Sequence, residues 1–91
     1  MIFFKKKENL LPTVKDIIKN FLEEENLSWL DMGLHHIEIK DKTKLFIHIY
    51  LFNPSPLIGR RGRRIIALAS RISKGLDRVA NVYAHEWNIW E

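Results

Sequence analysis

The sequence predicts an α+β domain, on three observations. An amphipathic stripe marks an early helix, two β-branched and aromatic runs follow it as a hairpin, and a glycine-punctuated pair of helical segments precedes a last strand. Ninety-one residues suffice for one compact domain, in which about 60–65% of the unfolded surface becomes buried, so one core must carry the whole fold.

Thr13 is a good helix N-cap, with Pro12 before it and Asp16 three residues on. Val14, Ile17, Ile18, Phe21 and Leu22 then keep the i, i+3, i+4, i+7, i+8 spacing of one apolar face, which predicts a helix over 13–26 after a tail of residues 1–12, within a domain covering 13–91. Glu23, Glu24 and Glu25 read as its solvated end. Residues 27–33 read as a connection whose Trp29, Leu30 and Met32 tuck against the core. Leu34–Lys40 and Lys44–Phe52 read as antiparallel strands joined by Asp41-Lys42-Thr43.

In the second strand Leu45, Ile47, Ile49 and Leu51 point one way and Phe46, His48, Tyr50 and Phe52 the other, so both faces are apolar. Ser55 as N-cap and Pro56 as first residue open a short helix through Leu57 and Ile58, which Gly59 stops. From Gly62 a longer helix carries Ile65, Leu68, Ala69 and Ile72 on one stripe with Ile66 beside it, and Gly75 is its predicted terminator. Val79–Trp90 reads as the last strand. No repeat, linker or low-complexity tract interrupts this order.

Charge is distributed unevenly. The net charge is +4, yet residues 54–78 hold seven Lys and Arg against one Asp, while the flanking segments are near neutral or acidic. Five of the seven cations lie between Arg60 and Arg71, and all five are arginine, the side chain that meets phosphate in bidentate fashion. A polyanionic partner follows. The absence of cysteine excludes a disulfide framework and a thiolate zinc site and fits a reducing compartment such as the cytoplasm. Met1-Ile2-Phe3-Phe4 is too short for a signal peptide, and no apolar run approaches the roughly 20 residues that cross a bilayer, so no membrane is expected as a partner.

Nothing points to catalysis, because Ser55, Ser70 and Ser73 lack a partnering base, and nothing calls for a cofactor. His35, His36, His48 and His85 are weak metal candidates: His35 and His36 are adjacent, so on a regular strand they point to opposite sides.

The chemistry concentrates in Gly59-Arg60-Arg61-Gly62. Two glycines in a turn between helices permit unusual dihedrals and close approach of a ligand. The next helix begins at the loop, so its amides and positive dipole end face the same spot as Arg60, Arg61, Arg63 and Arg64, a favourable place for phosphate. Ile58 and Ile65 flank the loop as an apolar floor for unstacked bases.

The stretch from Pro54 to Ile65, with Ile58-Gly59-Arg60-Arg61-Gly62 and an apolar residue three positions on, resembles the signature of KH domains. The helix and strand that precede the β-α-α-β core make the order resemble type II, over about Thr13 to Trp87. It is similar in particular to the KH domain of the small-subunit ribosomal protein that lies where messenger RNA enters. The resemblance implies a three-stranded mixed sheet with helices on one face and a loop that contacts about four nucleotides of single-stranded RNA. That ribosomal protein has a further C-terminal domain for which 91 residues leave no room, so the expectation is a free-standing KH protein or a reduced or divided form of the ribosomal one. As the latter it would be held by rRNA and neighbouring proteins, on a cytoplasmic or organellar ribosome.

The competing readings are a solvated basic loop and a protein-docking module whose loop is vestigial. A second surface also needs an occupant. Phe46, His48, Tyr50 and Phe52, beside Tyr83, His85 and Trp87, form a large aromatic face on which Ile2-Phe3-Phe4 or Trp90, another protein or second copy, or stacked bases would fit.

Overall fold

Val14, Ile18, Phe21 and Leu22 are buried and lie on α1, Leu10–Glu24, in the computed structural model, which describes residues 10–87. The apolar stripe is therefore the face that meets the core. Among the described residues the helix already runs from Leu10, three residues before Thr13, the predicted cap. At the other end Asn26 takes the left-handed conformation (φ 59°), and Leu27 N–H reaches the Leu22 carbonyl at 2.8 Å while Asn26 N–H reaches Glu23, a Schellman closure that ends the helix sooner than its sequence pattern does.

The predicted connection contains one helical turn, α2 (Trp29–Met32), capped by Ser28, whose side chain accepts from Leu30 N–H, and closed by Gly33 at φ 71°. Three residues apart, Trp29 and Met32 share the inner side of this turn, and Leu30 is left 91% exposed rather than tucked against the core.

Strands β1 (Leu34–Asp41) and β2 (Leu45–Leu51) pair antiparallel, and β3 (Ala80–Glu86) pairs parallel to β2, giving a mixed sheet in the order β1-β2-β3. A parallel neighbour requires a crossover. It is supplied by α3 (Ser55–Ile58), a tight turn at residues 60–62, and α4 (Arg63–Leu76). Leu45, Ile47, Ile49 and Leu51 are wholly buried and form one core with Val82, with Leu68 and Ile72 of α4, Leu57 of α3 and the stripe of α1. The result is a compact α+β domain whose helices cover one face of the sheet.

Gly75 does not terminate α4. Asp77, in the left-handed conformation at φ 56°, takes that place, and a Cβ on Gly75 would lie 2.9 Å from the Ile17 side chain. The glycine therefore serves the close approach of α4 to α1. Ser73 Oγ accepts from Ala80 N–H at 2.9 Å and fastens the end of α4 to the start of β3. No helix among the described residues is long and apolar enough to cross a membrane.

Candidate nucleic-acid interface

The segment from Pro54 to Arg63 is shaped by its backbone. Pro54, not Ser55, occupies the N-cap of α3, and its carbonyl accepts from Leu57 and Ile58 N–H. Gly59 has φ 78° and ψ 177°, Arg61 φ 56° and ψ 28°, and Gly62 φ 73° and ψ 11°, so three of the four loop residues have positive φ. The two glycines are required for different reasons. A Cβ on Gly59 would lie 2.6 Å from Arg64 Cβ and 3.0 Å from Arg64 N, whereas one on Gly62 would meet nothing nearer than Ile65 at 3.9 Å. The left-handed Arg61 costs about 1 kcal/mol, and nothing in its sequence marked it for that conformation.

The structure sorts the arginines. Arg60, Arg61 and Arg63 are exposed, and among the described residues their side chains have no hydrogen-bond or ion-pair partner. Arg64 is half-buried, with Nε donating to Glu25 at 3.2 Å and Nη1 to the Pro56 carbonyl, so it braces α3 against the end of α1. Arg71 is paired with Glu24 and lies over the Phe21 ring, and Arg78 pairs with Asp41. The hydrogen bond and charge of Arg71 hold the Glu24 carboxyl below its ordinary pKa. Glu24 and Glu25 are thus engaged partners rather than a merely solvated helix end. Ile58 and Ile65, on either side of the loop, are both half-buried, with Ile65 packed against the core.

The face of the sheet away from the helices gathers the predicted aromatic row, with one correction. The β1–β2 register shifts between Leu34 and His36, a bulge that turns His35 and His36 to the same side instead of opposite sides. Their Nδ1 atoms are 2.5 Å apart, and both rings touch Trp87. Along the sheet, Tyr83 stacks on His48 (5.0 Å between centroids), His48 on His85 (5.0 Å), His85 on Tyr50 (4.8 Å) and Tyr50 on His36 (4.4 Å), with interplanar angles of 10–22°. Trp87 stacks on His35.

Rings stacked on one another turn their edges outward, so within this row the faces are occupied and bases have little to stack on. Phe46 stays half-buried beside the row, and Phe52, 57% exposed, lies past the end of β2 against Gly33. Ile2, Phe3, Phe4 and Trp90, the predicted covers of this face, lie outside the described residues. Among the described residues no group of three or more His, Asp or Glu side chains gathers as a metal site would need.

His48 shares a hydrogen bond of 2.8 Å with His85. Burial holds its pKa below the ordinary value, His85 and Lys40 push the same way, and Glu38 opposes them. The unfolded chain takes up this proton near pH ~6.5 and the folded chain only at lower pH, so in that interval the unfolded state binds more protons and stability falls with falling pH. Urea midpoints are therefore expected to drop between about pH 7 and about pH 5. His48→Gln should make the drop shallower. An identical drop in the variant would remove His48 as its source.

No protein-family model and no curated protein sequence matches the chain.

Proposed function

We propose that the domain binds single-stranded RNA, with the Gly59–Gly62 loop and the start of α4 against the sugar–phosphate backbone, and that it does so as a KH domain of type II order. The observation that carries this is the partition of the arginines. Arg64, Arg71 and Arg78 each have a carboxylate partner, whereas the three that crowd the positive-φ turn have none among the described residues.

Three guanidinium groups on a backbone fixed by two glycines repel one another unless an anion joins them, and phosphate accepts from guanidinium in bidentate fashion. Half-buried Ile58 and Ile65 offer apolar surface beside the loop, which suits unstacked bases better than a duplex edge. A helix and strand before the β-α-α-β core, together with a β3 parallel to β2, support the type II order.

Fluorescence anisotropy with labelled single-stranded RNA oligonucleotides tests the proposal. The slope of log K against log salt should be about −2, near −0.7 for each of three phosphates. Failure to bind any single-stranded pool, or binding indifferent to salt, would overturn it.

A further inference from the structure

A concavity adjoins the loop on the side of α1. It has a volume of about 310 Å³ and is lined by Phe21, Glu25, Gly59, Arg60, Arg63, Arg64 and Ala67. Three guanidinium groups and one carboxylate therefore border the same hollow. The carboxylate is on Glu25, one residue past the end of α1, and its Oε1 is held by Arg64 Nε. Arg64 and Glu25 side chains are 31% and 39% exposed, so water and ions reach the pair.

We propose that this hollow is a second phosphate subsite for the same RNA strand, and that the incoming phosphate displaces Glu25 from Arg64. The inference rests on the RNA-binding reading and adds to it the path of the strand, which passes from the loop over Arg60 and Arg63 toward α1. Three observations support it. Arg60 of the loop and Arg63 at the start of α4 also line the hollow, so a backbone held at the loop lies at its mouth. Arg64 keeps its Pro56 contact through Nη1 while Nε alone is given to Glu25, so a change of anion partner leaves α3 tied to α4 and gives up only the tie to the end of α1. Glu25 lies in the closing turn of α1, beside left-handed Asn26, where its release disturbs no helical turn.

The carboxylate also gives the site a threshold. A free anion must compete with Glu25 from bulk concentration, whereas a phosphate tethered to a strand already on the loop competes at an effective concentration of the order of mM. Inorganic phosphate should therefore leave the pair closed where RNA opens it.

The test compares affinities for one single-stranded oligonucleotide. Glu25→Gln is expected to bind it roughly threefold or more tightly, the size of an exposed ion pair no longer to be broken. Glu24→Gln removes the same charge one residue away, from the partner of Arg71, and should gain less. Ala67→Glu places a carboxylate in the hollow and should weaken binding more than Ser70→Glu, one turn further along α4. In wild-type protein the Arg64 Nε–H resonance should move on adding RNA and stay in place with inorganic phosphate at sub-millimolar concentration.

Equal gains for the two glutamine variants, or equal losses for the two glutamate insertions, with wild-type binding intact, would overturn the subsite and leave the loop reading standing. A wild-type protein that binds no RNA would overturn both.

Discussion

Arg60→Asp combined with Arg61→Asp is expected to lower the affinity for single-stranded RNA by at least about a hundredfold and to leave the thermal midpoint almost unmoved. Each charge-assisted contact to phosphate is worth roughly 1.5–3 kcal/mol, and each aspartate adds repulsion where attraction stood, so two together exceed the ~2.8 kcal/mol that a hundredfold requires. Binding that remains should show a salt slope shallower by about 1.4, the share of two phosphates. Stability should change by no more than about 0.5 kcal/mol, because both side chains are exposed and without partners among the described residues. Arg61 is left-handed, a conformation aspartate tolerates better than arginine, which offsets part of any loss. Arg64 is left unchanged in this variant because its loss would unbrace α3 and mix folding with binding. Calorimetry beside anisotropy reads both quantities. Wild-type affinity in the double variant would remove the loop from the binding site.

What the sequence disclosed and what it hid divide along a physical line. Periodicity is local, and it showed the stripe of α1, the alternation of β2 and the glycine loop, since each needs only near neighbours in the chain. Single turns carry no period, so from the sequence α2 looks like a connection and Leu30 like a core residue. Contacts between distant residues were hidden altogether. Glu24 and Glu25 read as solvated because their partners, Arg71 and Arg64, lie 47 and 39 residues away. Gly75 has the look of a helix stop, because nothing local signals that the Ile17 side chain of α1 lies against it. A regular alternation puts His35 and His36 on opposite faces, which one bulge overturns. The parallel pairing of β3 was an implication of the KH resemblance alone. For the candidate site this means that the loop is legible, whereas the sorting of its arginines into one that braces and three without a partner among the described residues is not.

Gly59→Ala is expected to cost about 3 kcal/mol, and Gly62→Ala only about 1 kcal/mol, although the two glycines look equivalent in the motif. The backbone at Gly59, φ 78° with ψ 177°, is a conformation almost closed to residues with a side chain, and the new methyl would stand 2.6 Å from Arg64 Cβ. Neither conflict is relieved by a rotamer change, because the opposing atoms are a Cβ and a backbone nitrogen. The chain must move instead, and the segment that can move is α3, a single turn whose bracing contact is Arg64 to Pro56. At Gly62 the conformation is ordinary left-handed helix and the added methyl comes only into ordinary contact with Ile65 at 3.9 Å.

In a domain of this size ~1 kcal/mol shifts the thermal midpoint by about 4–8 °C, so Gly59→Ala should melt well over ~10 °C below wild type and Gly62→Ala within ~8 °C of it. Amide exchange locates the cause: protection of Ile58 and Gly59 N–H, which donate to Pro54 and Ser55, should fall in Gly59→Ala before that of β2 does. Equal costs at the two positions would mean that the loop relaxes away from Arg64 without penalty. The close contact between the loop and α4 would then contribute nothing to holding Arg60 and Arg61 in place for a phosphate.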